Sequence, residues 1–187
     1  MKNMERWYIS VIGGSRCTAA DYGLAEEIGG LIAQAGATLV CGGLSGVMEA
    51  ASRGAKEAGG TTIGVLPGHD RSLVNPYIDY VLTTGMGHAR NLIIASSGDA
   101  VIAVGGTFGT LSEIGLAAKI GRPVVIVSGW RLQNDEEAEG VWYASSPDEA
   151  MELIKEALSR RASEAAAGES PSRSSPPGSF RPSGDQT

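Results

Sequence analysis

The sequence predicts a three-layer α/β fold: a doubly wound, mostly parallel sheet with helices on both faces, Rossmann-like in plan. Three observations predict it. Short apolar runs alternate with longer helical patterns along most of the chain, as in repeated strand–helix–strand units. Runs such as Ala100-Val101-Ile102-Ala103 are continuously apolar, as strands covered on both faces are. Glycine, at 27 of 187 residues, gathers where strand patterns give way to helical ones.

The elements follow in order. Trp7 to Ile12 is a first strand. Ala20 to Ala35 is an amphipathic helix with Leu24, Ile28, Leu31 and Ile32 on one stripe. Ala37 to Cys41 is a second strand. Gly46 to Ala58 is a helix in which Gly54, Ala55 and Ala58 mark close helix–sheet packing. Thr61 to Leu66 is a third strand and Tyr77 to Leu82 a short one. His88 to Ser97 is a helix, Ala100 to Val104 a strand, Thr110 to Ile120 a helix and Pro123 to Val127 a strand. Trp130 to Gly140, with Asn134-Asp135-Glu136-Glu137, reads as a surface loop. Trp142 and Tyr143 then pack on the body or on another subunit. Pro147 to Arg160 closes the fold, with proline in the first turn where its missing N–H costs nothing. Residues 1–162 make one domain. From Ser163 the Ser/Pro/Gly/Arg-rich composition reads as a disordered tail, because it cannot bury enough apolar area to offset its ordering entropy.

Composition narrows the function. Apolar residues at 42% support a real core, and no apolar run approaches the roughly 20 residues of a membrane helix. The start of the chain lacks the apolar region of a signal peptide, and Cys17 and Cys41 have no metal-type spacing; both features suit a cytoplasmic protein. The chain is net −6. Residues 160–187 contribute +1, which leaves −7 on the body. Nucleic acid is a disfavoured partner for such a body, since phosphate neutralisation by Lys and Arg dominates that affinity.

In a doubly wound sheet, ligands bind at the carboxyl ends of the strands. Five glycine-rich or polar loops fall there. Gly13-Gly14-Ser15-Arg16 follows the first strand, and Gly42-Gly43-Leu44-Ser45-Gly46 follows the second. Pro67 to Arg71 follows the third, and Thr83 to Asn91 holds Met86 and Arg90. Gly105-Gly106-Thr107-Phe108-Gly109-Thr110 follows the fifth. The last of these joins a strand to a helix. Bare N–H groups at a helix start, together with the helix dipole, form an anion site. The expected ligand is small and phosphorylated, and its contacts are Gly13, Gly14, Ser15, Gly42, Gly43, Ser45, Gly46, Met86, Gly105, Gly106, Thr107, Gly109 and Thr110. No residue is read as a metal ligand.

Glu113 has two roles open. A carboxylate beside a phosphate site more naturally meets ribose hydroxyls than the phosphate. Alternatively, Thr110-Leu-Ser-Glu113 spells a capping box, in which threonine and glutamate satisfy each other's backbone donors. Arg90 opens a helix, where its charge opposes the dipole, so a partner anion would account for it. Glu49 suits the dipole of its own helix. His69 and His88 read as loop residues, and Met86 has packing as its plainer role.

Two stretches carry a resemblance: Cys41-Gly42-Gly43-Leu44-Ser45-Gly46-Val47-Met48-Glu49 and Val104-Gly105-Gly106-Thr107-Phe108-Gly109-Thr110-Leu111-Ser112-Glu113. Together they resemble the Rossmann-like Lonely Guy superfamily, often labelled "possible lysine decarboxylase", in its branch near the molybdenum cofactor carrier protein. The resemblance runs from about residue 7 to 158. The family's Arg-Lys pair stands here as Arg90-Asn91. The resemblance implies binding of a nucleotide-derived or pterin-phosphate ligand, such as a nucleotide or the molybdenum cofactor, with no further cofactor required. The alternative it implies is a phosphoribohydrolase that cleaves a nucleoside 5′-monophosphate to base and ribose 5-phosphate. Arg90 and Glu113 would then be catalytic, the carboxylate stabilising oxocarbenium character at the ribose. A homodimer or larger assembly is expected. Lysine decarboxylation is set aside, because Lys2, Lys56, Lys119 and Lys155 all lie outside the cleft loops.

Overall fold

The structure is a computed structural model, and it describes residues 7–132 and 140–167. Its strands are β1 (Tyr8–Gly13), β2 (Thr38–Cys41), β3 (Thr61–Leu66), β4 (Tyr80–Thr83), β5 (Ala100–Val104), β6 (Val124–Ser128) and β7 (Val141–Tyr143). Its helices are α1 (Ala19–Gln34), α2 (Val47–Glu57), α3 (Asn91–Ser97), α4 (Phe108–Lys119) and α5 (Pro147–Ala166), with a 3-10 turn, Gly87–Arg90, leading into α3. The seven strands form one parallel sheet in the order β4-β3-β2-β1-β5-β6-β7.

Alternation along the strands sends side chains to two cores. Ile9 and Val11 of β1 face α1, α2 and α5, meeting Ile28, Ala51 and Ile154. Ile12 faces the other way, onto α3 and α4, among Ile94 and Ile114. The three-layer expectation therefore holds, with three helices on one face and two on the other. The strand order reverses between β1 and β5, and the crevice at which doubly wound sheets take their ligands opens where Gly13 and Val104 end their strands.

The structure corrects four local readings. Trp142 and Tyr143 do pack on the body, but as part of an edge strand, β7, paired with β6, where no strand was expected. Gly54 lies at a helix–helix contact: an added Cβ would stand 1.8 Å from the Glu26 carbonyl oxygen of α1. The closing helix continues to Ala166, six residues past its expected end at Arg160, while residues 168–187 lie outside those described, as do Asn134 to Glu137. Finally, α4 begins at Phe108 with Thr107 as its N-cap. Thr110 and Glu113 are thus one turn too deep to form a capping box, and the capping role for Glu113 falls.

Candidate functional site

The site is built from the loops after β1, β2 and β5. After Val104 the chain must turn sharply to start α4. Gly106 takes φ 87°, a conformation that L side chains rarely adopt, and an added Cβ would stand 2.0 Å from the Thr110 Oγ1. Gly105 is anchored from behind. Its N–H donates to the Ser128 Oγ at 2.8 Å and the Ser128 carbonyl at 3.1 Å. The Ser128 hydroxyl in turn donates to Asp21 Oδ1 at 2.7 Å, and the Thr18 hydroxyl to Asp21 Oδ2 at 2.8 Å. The Ser128 bond holds the Asp21 carboxyl below its ordinary pKa, against partial burial, with Thr18 helping. Gly105 therefore positions the turn with its N–H already engaged. The Thr107 side chain makes no capping bond, so the N–H groups of Phe108, Gly109 and Thr110 have no partner within α4.

A second helix start faces the same crevice. Gly46, at φ 68°, is the N-cap of α2 and makes no side-chain bond; an added Cβ there would meet the Gly14 oxygen at 2.4 Å. Val47 N–H donates to the Gly14 carbonyl at 3.1 Å, and Ser45 Oγ donates to the Ser15 carbonyl at 3.0 Å. Gly14 in turn lies against Gly106. Gly13, Gly14, Ser15, Ser45, Gly46 and Gly106 are thus brought together. By contrast, α1 and α5 are capped by the hydroxyls of Thr18 and Ser146. Among the four longer helices, the two without side-chain caps are the two that start at the crevice.

Arg90 and Glu113 meet beneath these loops. Arg90 Nη1 lies 3.3 Å from Glu113 Oε1, with side-chain exposures of 10% and 7%. Arg90 Nη1 also donates to Asn91 Oδ1 at 2.6 Å, and Asn91 Nδ2 donates to Ser112 Oγ at 3.2 Å on α4. Arg90 Nε is buried without a hydrogen-bond partner. Gly42 leaves room for the guanidinium: a Cβ there would stand 2.7 Å from Arg90 Nη2. Burial pushes Glu113 up to about 7, and the Arg90 charge only partly opposes this. Burial likewise lowers Arg90 from its ordinary value. Near neutral pH the Glu113 carboxyl can therefore offer either a donor or an acceptor to a ligand hydroxyl.

Other expected residues sit differently. Gly43 packs against Gly64 of β3, and its carbonyl accepts from Asn75 N–H at 2.9 Å. Met86 is 50% exposed at the start of the 3-10 turn. The His69 ring lies against Gly85. Asp21, Ser128 and Asn91 were not foreseen as part of the site. Asn91 was visible only as the neighbour of Arg90, and the bond between Asp21 and Ser128 spans 107 residues. Among the described residues, no three His, Cys, Asp or Glu side chains cluster in a way that could hold a metal ion. No helix among them is long and apolar enough to cross a membrane.

Two glycines of the loop differ in what a substitution there would report. A Gly106→Val change would strain the turn itself, whatever binds there. Gly109 has open space around it and carries no unusual backbone angle. Gly109→Ala is expected to keep or slightly raise the melting temperature, since alanine favours a helix by up to about 1 kcal/mol over glycine. Its methyl beside the free N–H groups is expected to weaken AMP binding severalfold. Unchanged AMP affinity by calorimetry in the folded variant would remove this turn from the site.

Comparison with known proteins agrees with the fold and with the family resemblance. The chain is 41% identical to the molybdenum cofactor binding protein of the phototrophic bacterium Rippkaea orientalis, covering 82% of this chain and 98% of that one, with a TM-score of 0.73. It is 37% identical to the molybdenum cofactor carrier protein of Chlamydomonas reinhardtii, covering 82% and 99%, again with a TM-score of 0.73. It is also 33% identical, over 66% of this chain and 72% of that one, to the cytokinin riboside 5′-monophosphate phosphoribohydrolase of Mycobacterium tuberculosis. The Lonely Guy resemblance and its branch near the carrier proteins thus hold. Residues 6–151 match the sequence profile of the SLOG cluster4 family, and the chain belongs to that family.

Proposed function

We propose that this protein binds and retains a small phosphate-bearing ligand, nucleotide-derived or a pterin phosphate such as the molybdenum cofactor, in the crevice between β1 and β5. The observation that carries the reading is the uncapped start of α4, whose free N–H groups lie one turn from Glu113 and its partner Arg90. Backbone donors and the helix dipole would hold the phosphate. The glycine turns let a ligand approach the backbone closely. Arg90 Nε, buried without a partner, supplies a further donor for an anion or a carbonyl. A pterin phosphate carrying molybdenum brings its own sulfur ligands, so binding it needs no cluster of metal-ligating side chains. The similarity to two molybdenum cofactor proteins over nearly their whole length supports this class of ligand.

A second reading rests on the Arg90–Glu113 pair and the phosphoribohydrolase relative. In it, the C–N glycosidic bond of a nucleoside monophosphate breaks, water adds to the anomeric carbon, and the base leaves with a proton. Glu113 would stabilise the positive charge at the ribose. Incubation of AMP with the protein, followed by chromatography, separates the two. Stoichiometric retention of AMP without adenine is the expected result. Adenine and ribose 5-phosphate from the wild type, absent with Glu113→Gln, would establish the second reading. Neither retention nor release would overturn AMP-like ligands for this crevice.

A further inference from the structure

The first residue of α4 is a phenylalanine, and it faces water. Phe108 is 79% exposed, the highest exposure among the large hydrophobic side chains described. Burying such a ring stabilises a fold, so leaving it bare forgoes stability. The ring is paired with another: Trp130 lies with its centroid 5.7 Å away and the two planes tilted at 47°. Trp130 is not loosely placed. Its indole N–H donates to the Thr107 carbonyl at 3.2 Å, which ties it to the N-cap of α4. The segment behind it is held as well, since Arg131 sits over the Tyr143 ring at 4.9 Å and Leu132 N–H donates to the Tyr143 hydroxyl at 2.8 Å.

We infer that Phe108 and Trp130 form an aromatic shelf that stacks the flat heteroaromatic ring of the ligand whose phosphate the α4 start holds. The inference rests on the phosphate site proposed above and adds the chemical class of the ligand's other end. Two facts favour a ring of the ligand as the occupant. The shelf is continuous with the anion site, Phe108 supplying both an exposed ring and one of the free N–H groups. Trp130 is also oriented by the backbone of that same turn, as a recognition surface must be and a chance apolar patch need not be. Stacking on an aromatic face accepts purines and pterins alike, because every such ring has a π-face.

Two probes test this on the full chain: AMP, which has a ring, and inorganic phosphate, which has none. Titration calorimetry of Phe108→Ala is expected to show AMP affinity about tenfold weaker, the order expected for one lost stack. Phosphate affinity should stay within about twofold, since stacking contributes nothing to it. Phe108→Tyr should restore AMP binding, and AMP but not phosphate should quench Trp130 emission, a signal lost in Trp130→Phe. An unchanged AMP affinity in Phe108→Ala overturns the shelf, and so does an equal loss for both probes. So does dissociation of a wild-type oligomer without selective loss of AMP, which would make a second copy the occupant of the shelf. If the wild type binds phosphate but not AMP, the shelf fails while the anion site stands; if it binds neither, the anion site fails first.

Discussion

Gly54→Ala is expected to destabilise the protein by about 3 kcal/mol or more, the upper end of what overpacking costs. The added Cβ would stand 1.8 Å from the Glu26 carbonyl oxygen, and one added to the opposing Gly29 would stand 1.9 Å from the Ala51 oxygen. These obstacles are backbone atoms, so no side chain can swing aside and the helices themselves must part. The partner helix supplies the control. Gly23 of α1 has nothing within 4 Å, and Gly23→Ala should stabilise by about 0.5–1 kcal/mol through lost freedom of the unfolded chain. Urea denaturation checks both. Parting the helices also reaches the site, because α2 starts at Gly46, whose backbone is packed on Gly14. Gly54→Ala should thus weaken AMP binding as well as stability, whereas Gly23→Ala should leave binding alone. Equal stability of the two variants would show that the α1–α2 contact adjusts freely.

These glycines show what a sequence carries and what it hides. The strands were legible because buried parallel strands are continuous apolar runs: Ala100 to Val104 has the same bounds in both readings. β7 was not, since Val141, Trp142 and Tyr143 are three half-buried residues that look like loop aromatics until β6 pairs with them. The close-packing role of Gly54 was legible but its partner was not, because composition cannot say whether a small face meets a sheet or a helix. The capping box at Thr110 was spelled correctly and used differently. Gly105 and Gly106 turn the chain early enough for α4 to start at Phe108, and Glu113 slips one turn into the interior. That slip is why the carboxylate is buried and so why it titrates abnormally. The glycine loops could be placed at one edge from order alone. The link from Asp21 through Ser128 to Gly105 could not, because it joins α1, β6 and the β5–α4 turn across long sequence distances.

Arg90→Met is expected to cost roughly 3–5 kcal/mol at pH 9 and clearly less at pH 6, as removing one partner of a buried ion pair does when the other can shed its charge. The sign follows from Glu113. Its pKa in the folded state, about 7, lies above the ordinary carboxylate value of the unfolded chain. Between those values the folded protein holds more protons than the unfolded one, so stability falls as pH rises through this window and levels off above it. Arg90 is the influence that lowers the Glu113 pKa. Without it the folded pKa climbs further, and the fall continues into alkaline pH. Below that range the variant buries a neutral acid, which needs only a hydrogen-bond partner. Glu113→Gln should do the opposite and flatten the pH dependence between about pH 5 and 8. Denaturant midpoints of the wild type and both variants at pH 5, 7 and 9 provide the check. A pH-independent penalty for Arg90→Met would mean that Glu113 stays charged when buried alone, and the carboxyl would then be fixed as an acceptor. The expected dependence would instead leave Glu113 poised between donor and acceptor at neutral pH, the state in which it can meet ligand hydroxyls of either polarity.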